Sequence, residues 1–136
     1  MYVCKHFNVK ELVPEHVYED RGEKAWTLFD DRALRTLDAI RDKFGVTVVN
    51  NWHTGGDRQW SGFRSPESPV GSPYSQHRLG AAFDCIFAHT DAESVRAYIL
   101  AHPEEFPYIR GLEKGVSWVH FDLGNRPGED INVFGQ

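Results

Sequence analysis

Residues 75–84 read Ser-Gln-His-Arg-Leu-Gly-Ala-Ala-Phe-Asp, and residues 118–122 read Trp-Val-His-Phe-Asp. In the first segment, His77 lies where a loop enters a predicted strand, and Asp84 lies on that strand. In the second segment, His120 lies on a different predicted strand. Two imidazoles and one carboxylate are typical of catalytic zinc, because such a ligand set leaves a fourth coordination position open. The sequence therefore predicts a metal centre on a floor of β-strands, with Zn²⁺ favoured over other divalent ions by the ligand types.

Helical spacing of apolar residues is visible in two segments outside this predicted centre. Residues 31–44 carry apolar side chains on one helical face and are preceded by an aspartate that can cap the first turn. A capping box of Thr90 and Glu93 predicts a second helix that ends near residue 102. Around Pro14 the pattern indicates a short third helix.

Apolar and β-branched runs predict the strands. They cover residues 46–50, 81–87, 108–113, 117–123 and 131–134. The third and fourth runs form a predicted hairpin, and the last run is expected at a sheet edge. We expect an α+β fold with a small, largely antiparallel sheet and helices on one face, in a single domain of residues 1–136.

Length, charge and hydropathy exclude several classes of function. The chain has 136 residues and a formal net charge of −5, without the basic patch that marks nucleic-acid binders. Its apolar runs are too short to insert into a membrane. Its first residues lack the features of a signal peptide, so we expect a soluble monomer that is made in the cytoplasm.

The residues around the predicted metal centre carry a family resemblance. The run Ser-Gly-Phe-Arg-Ser at 61–65 precedes Ser-Gln-His at 75–77, Gly80 and Asp84, and then Trp-Val-His at 118–120. This pattern resembles the zinc D-Ala-D-Ala peptidases, a superfamily with dipeptidases, carboxypeptidases, phage endolysin peptidases and the Hedgehog signalling domain. The resemblance covers roughly residues 46–123. The form of the loop after residue 50 looks most like small peptidase-like proteins carried by bacteriophages.

The resemblance assigns roles by position. It implies that zinc is held by three residues: His77, Asp84 and His120. It also implies that Arg64 receives an anionic group of the substrate, a role that suits the planar, always-charged guanidinium. A surface arginine or a structural ion pair is the alternative for Arg64. Ser75 and Gln76 flank the first ligand and are candidate substrate contacts, with a structural role in the loop as the equal alternative. Each histidine taken alone would more often be a structural residue.

The catalytic base is where the sequence departs from the family pattern. Many members place a carboxylate three residues before the second zinc histidine, where this chain has Ser117. We expect Glu113 to act as the base instead, because a hairpin can fold its carboxylate back over the metal. An exposed hairpin charge is the equal alternative for Glu113. Asp122 shares a strand face with His120 and is a second candidate, either as a base or as an acceptor for the imidazole N–H.

The expected function is zinc-dependent hydrolysis of a peptide bond in bacterial peptidoglycan, with a D-amino acid at the cleaved bond. The protein would be phage-encoded and would reach the cell wall after phage-assisted release. A non-catalytic metal-binding or phage structural module on the same fold is the alternative, supported by the missing carboxylate at Ser117. An amidase with the same metal chemistry is the second alternative.

Overall fold

The structure is a computed structural model that describes residues 1–72, 75–124 and 130–135. Within these ranges it contains three α-helices: α1 (Glu15–Arg21), α2 (Asp31–Phe44) and α3 (Ala92–Ala101). The same ranges contain five β-strands: β1 (Thr47–Val48), β2 (Ala82–Phe87), β3 (Gly111–Lys114), β4 (Val119–Asp122) and β5 (Asn132–Gly135). None of the described helices is both long enough and apolar enough to cross a bilayer.

The strands form one mixed sheet in the order β1-β2-β4-β3-β5. Every pair is antiparallel except β3 with β5, which run parallel. The predicted α+β class with a largely antiparallel sheet is confirmed. The predicted hairpin is present as β3 and β4, and the last strand lies at a sheet edge as expected.

Alternation along the strands separates the core from the predicted metal ligands. On β2, Phe83 and Cys85 are fully buried in the hydrophobic core, so Asp84 between them points to the opposite face. On β4, Val119 and Phe121 enter the same core and leave His120 on the opposite face. The core is completed by apolar residues of α2 and α3, chiefly Leu34, Leu37, Ile40, Val95 and Ile99. One sheet face therefore holds the helices, and the other carries the ligands.

Local signals account for the ends of α2. The side chain of Asp30 accepts a hydrogen bond from the backbone N–H of Arg32 at 2.9 Å and caps the first turn. Gly45 ends the helix with a φ of +80°, which favours glycine. The predicted bounds of this helix are confirmed.

The cap of α3 differs from the prediction. Asp91, and not Thr90, is the N-cap residue, and its carboxylate accepts from the backbone N–H of Ser94 at 2.7 Å. The predicted capping box of Thr90 and Glu93 is therefore wrong. A carboxylate at the next position gives a stronger, charge-assisted cap that also complements the helix dipole.

A long connection between β1 and β2 is attached to the N-terminal part of the chain. The backbone N–H of Phe63 donates to the carbonyl of Leu12 at 2.8 Å, and a Cβ on Gly62 would collide with the same carbonyl. Gly80 has a φ of +66°, and a Cβ there would collide with the carbonyl of Leu28. These two glycines let the connection lie close to the core and bring its ligand, His77, to the sheet.

Candidate metal centre

Three predicted ligand atoms converge on the sheet face opposite the helices. The Nε2 atom of His77 lies 3.3 Å from the Nδ1 atom of His120 and 3.3 Å from Oδ1 of Asp84. The same carboxylate oxygen lies 2.9 Å from Nδ1 of His120. Among the described residues these three form a group that could hold a metal ion. The structure thus brings together all three predicted ligands.

The backbone explains why these atoms meet. Asp84 and His120 are directly paired across β2 and β4, so their side chains leave the sheet as neighbours on the same face. His77 comes from a short 3₁₀ turn, Gln76–Leu79, that precedes β2. Ser75 is the N-cap of that turn, and its hydroxyl accepts from the backbone N–H of His77 at 3.2 Å. Two strands and a capped turn fix the three ligands.

Each imidazole is oriented through its second ring nitrogen. Nδ1 of His77 lies 2.9 Å from the carbonyl oxygen of Gly62, and Nε2 of His120 lies 2.8 Å from a carboxylate oxygen of Asp122. Both partners can only accept, so both of these ring nitrogens carry the proton. The other oxygen of Asp122 accepts from the backbone N–H of Gly124 at 2.9 Å, which holds the carboxylate in place. When both rings are neutral, the nitrogens that face Asp84 therefore carry the lone pairs that a metal ion needs.

This donor set fits a zinc ion. Tetrahedral bonds of about 2.0–2.1 Å place ligand atoms about 3.3 Å apart, close to the separations of 3.3, 3.3 and 2.9 Å. The supporting acceptors, a carbonyl and a carboxylate, are those that usually orient zinc-binding histidines. The three residues can therefore hold a divalent metal through two nitrogens and one oxygen.

Contacts within the centre shift the pKa values of Asp84 and His120. Burial disfavours the ionised carboxylate of Asp84, but hydrogen bonds from His120 and His77 outweigh it, so its pKa lies well below the usual range. Burial also disfavours the imidazolium of His120, but the carboxylates of Asp122 and Asp84 reverse this and raise its pKa to about 9. A protonated His120 would donate to both carboxylates, one through each ring nitrogen.

Arg64 lies directly against the centre. Its Nη2 atom donates to Oδ2 of Asp84 at 3.2 Å, and its Nε donates to the carbonyl of Trp60 at 2.7 Å. The residue is 8% exposed, and burial lowers the pKa of its guanidinium. The carboxylate of Asp84 thus has one oxygen on the ligand triangle and the other on Arg64. This contact orients the ligand, which agrees with the structural ion pair that is the alternative for Arg64.

Glu113 occupies the next strand on the same sheet face. In the pairing of β3 with β4, Leu112 lies opposite Phe121, so continuing the register places Glu113 opposite His120. Its carboxylate is close enough to Arg64 to oppose the lowering of the guanidinium pKa. Glu113 is partly exposed. The structure therefore brings the predicted base to the neighbourhood of the ligands, whereas Ser117 lies exposed in the turn before β4.

Comparisons with known proteins add nothing to this geometry. No protein-family model, curated protein or solved structure matches the chain. The capacity to hold a metal follows from the positions of His77, Asp84 and His120 in the structure. The family resemblance depends on the sequence motifs.

A cleft of about 280 Å³ opens beside the centre. Its lining includes the largely buried Asp84 and Arg64, together with Trp60 and Trp118. Ser75 and Gln76 do not line this cleft. Ser75 instead caps the turn of His77, which agrees with the structural alternative for that residue.

Two contributors to the site were missed by sequence reasoning. The carbonyl oxygen of Gly62 orients His77, and a backbone acceptor leaves no signal in a sequence beyond the requirement for a close approach. Arg58 lines the cleft. Its signal was only its position in the long loop, where functional side chains concentrate.

A second group of possible ligands lies at the end of α3, away from these residues. Nδ1 of His102 is 3.7 Å from Glu104 and 3.8 Å from Glu105. Both carboxylates are largely exposed, and that of Glu105 already accepts from the hydroxyl of Tyr98 at 2.6 Å. This arrangement is that of surface ion pairs.

Proposed function

We propose that this protein is a zinc-dependent peptidase that cleaves a peptide bond in bacterial peptidoglycan. The observation that supports this most directly is the convergence of His77, Asp84 and His120, with Asp84 also lining an open cleft. Structural zinc sites are normally closed by four protein ligands, whereas three ligands beside a cleft favour catalysis. His77, Asp84 and His120 would hold the zinc ion. Zinc bound there would supply a Lewis acid and lower the pKa of water toward neutrality.

Glu113 is the proposed proton carrier. Its place opposite His120 on the next strand puts a carboxylate beside the ligands on the open face of the sheet. It would take a proton from the attacking water and pass it to the leaving amine. Asp122 already accepts from Nε2 of His120 at 2.8 Å, so its role is to orient that ring.

The substrate class is inferred from the motifs. The segments at 61–65, 75–84 and 118–120 resemble the zinc D-Ala-D-Ala peptidases, whose substrates contain D-amino acids. The proposed bond therefore involves a D-amino acid of the peptidoglycan stem peptide. The resemblance to small phage-borne peptidases favours action on the wall after release of the protein by a phage.

The test combines metal analysis with digestion of purified cell wall. We expect one zinc per chain, release of new amino groups from the wall, loss of activity on chelation and recovery with zinc. His77→Ala and Asp84→Ala should lose the metal. Glu113→Ala and Glu113→Gln should keep the metal and lose turnover, whereas the exposed control Glu104→Gln should behave as wild type. Full turnover by either Glu113 variant would exclude this residue as the base.

A metal-binding module without hydrolytic activity is the second candidate. Ser117 favours it, because many members of the resembled family have a carboxylate at that position. This candidate predicts a full complement of zinc with no cleaved product from the wall. Mass analysis of released fragments separates peptide-bond cleavage from amidase action, since the two reactions leave different ends.

A further inference from the structure

The cleft beside the metal centre is lined by two arginines that differ in burial and in hydrogen bonding. Arg64 is buried and donates to Asp84 and to the carbonyl of Trp60. Arg58 lines the same cleft and is partly exposed. Trp60 and Trp118 line it as well. A chain bound in this cleft would therefore meet both Asp84 of the ligand set and Arg58.

The loop that carries Arg58 is closed on itself by one asparagine. The backbone N–H of Arg58 donates to the side-chain oxygen of Asn51 at 2.9 Å, and the N–H of Asn51 donates to the carbonyl of Arg58 at 3.0 Å. The N–H of Gly56 donates to the carbonyl of Asn51 at 3.0 Å, and a Cβ on Gly56 would collide with the Asn51 side chain. These hydrogen bonds fix the loop and hold Arg58 at the cleft.

The guanidinium of Arg58 is anchored through its Nε atom. Its Nε donates to the carbonyl of Val49 at 3.0 Å. Within residues 1–72, 75–124 and 130–135, its two terminal nitrogens have no hydrogen-bond acceptor and no carboxylate partner, although Asp57 is adjacent in the chain. An anchored guanidinium with free terminal nitrogens presents a pre-oriented pair of donors, the geometry that suits a carboxylate. Ordering costs are reduced because Nε is already held.

We propose that Arg58 binds a carboxylate of the peptide substrate and that Arg64 is a positioning residue for Asp84. This assignment depends on the proposed function for the nature of the substrate. It places the anionic group of the peptide at Arg58 and the scissile bond at the metal ligands. The stem peptide offers two sources of a carboxylate, the C-terminus and the free carboxylate of its D-glutamate.

The test measures peptide binding and turnover separately on zinc-loaded protein. The probes are a synthetic stem pentapeptide ending in D-Ala-D-Ala, its C-terminal amide, and its isoglutamine form. Wild type should prefer the peptide that carries the recognised carboxylate over the matching amide, and the two amidated probes identify which carboxylate it is. Arg58→Gln should weaken binding of the acid peptide roughly tenfold to a hundredfold and remove the preference. Arg58→Lys should retain part of it.

Zinc content and thermal midpoints identify variants that fail to fold. Arg41→Gln on α2 is the matched control, and we expect it to keep the wild-type preference for the acid peptide over the amide. The proposal for Arg58 would be overturned if Arg58→Gln weakened binding of the acid and amide peptides equally, or changed neither. Turnover by wild type would still support the peptidase function in that case. Preferential binding of the acid peptide without cleavage would support the role of Arg58 and contradict the peptidase. If wild type binds none of the probes, the role of Arg58 is also overturned.

Discussion

His77 and His120 are 43 positions apart in the chain, yet their facing ring nitrogens lie 3.3 Å from each other. Each ring gives its other N–H to a fixed acceptor, the carbonyl of Gly62 or the carboxylate of Asp122. Two lone pairs at this separation repel each other unless a cation stands between them and the nearby carboxylate of Asp84. A metal ion or a proton on His120 meets that requirement, so the two compete.

Competition with a proton makes zinc affinity depend on pH. In the metal-free protein the pKa of His120 is raised to about 9, above the value near 6.5 of an unfolded histidine. The protonated ring thus stabilises the metal-free fold fully below pH of about 6.5, and this contribution is lost as pH rises through 9. Zinc needs the neutral ring, so its affinity should rise across the same window. At pH 7.5, binding should release about one proton from His120.

Calorimetry in two buffers with different ionisation enthalpies measures this proton release. Asp122→Asn serves as the comparison, because loss of a carboxylate lowers the pKa of His120 and should reduce the number of protons released. Zinc affinity that is constant from pH 6.5 to 9, with no proton release, would contradict a protonated His120.

Asp122 is expected to act through His120 rather than on the substrate. In Asp122→Asn the acceptor for Nε2–H loses its charge, so the ring is a weaker ligand. We expect zinc affinity to fall about tenfold to a hundredfold. With saturating zinc, turnover should return to within about tenfold of wild type. The control Asp20→Asn removes an exposed carboxylate elsewhere, and competition with a chromogenic chelator measures all three affinities.

Much of the fold and of this centre could be predicted because it depends on residues that are close together in the sequence. The strand alternation that places Asp84 and His120 on the face opposite the core follows from a period of two, and the ends of α2 follow from Asp30 and Gly45. The cap of α3 was misassigned because Thr90 and Asp91 are both common N-cap residues. The contact of Arg64 with Asp84 could not be predicted, because it joins residues 20 positions apart through the packing of a long loop.

Arg64 is expected to affect zinc affinity more than substrate affinity. Arg64→Gln leaves Oδ2 of Asp84 without its charged partner in a buried position, so the carboxylate becomes free to rotate. We expect zinc affinity to drop about tenfold or more, with a smaller change in the KM of the zinc-saturated enzyme. Arg64→Lys keeps the charge but not the two-point anchorage and should lie between. A large rise in KM with unchanged zinc affinity would instead assign Arg64 to the substrate.

Asp38 on α2 attaches the N-terminal segment to the rest of the protein. Its buried carboxylate accepts from the hydroxyl of Tyr2 at 2.6 Å and from the backbone N–H groups of Lys5 at 2.8 Å and His6 at 3.2 Å. Asp38→Asn replaces one acceptor oxygen with a donor, which should lower the free energy of unfolding by about 1–3 kcal/mol. Asp42, also on α2, pairs with His6 at the surface. The control Asp42→Asn breaks this pair and should lower the free energy of unfolding by less than about 1 kcal/mol. Urea denaturation measures both changes.

The hydrogen bond from Tyr2 to Asp38 should make the stability of the protein depend on pH in the alkaline range. Burial and the hydrogen bond to Asp38 raise the pKa of its phenol to about 12, above the usual value near 10. The folded state therefore favours the protonated phenol, so this contribution to stability is complete below pH of about 10 and is lost as pH rises to about 12. Wild type should be more stable than Tyr2→Phe at pH 9, and the difference should shrink as pH increases. A difference that stays constant to pH 12 would show that the phenol does not donate to Asp38.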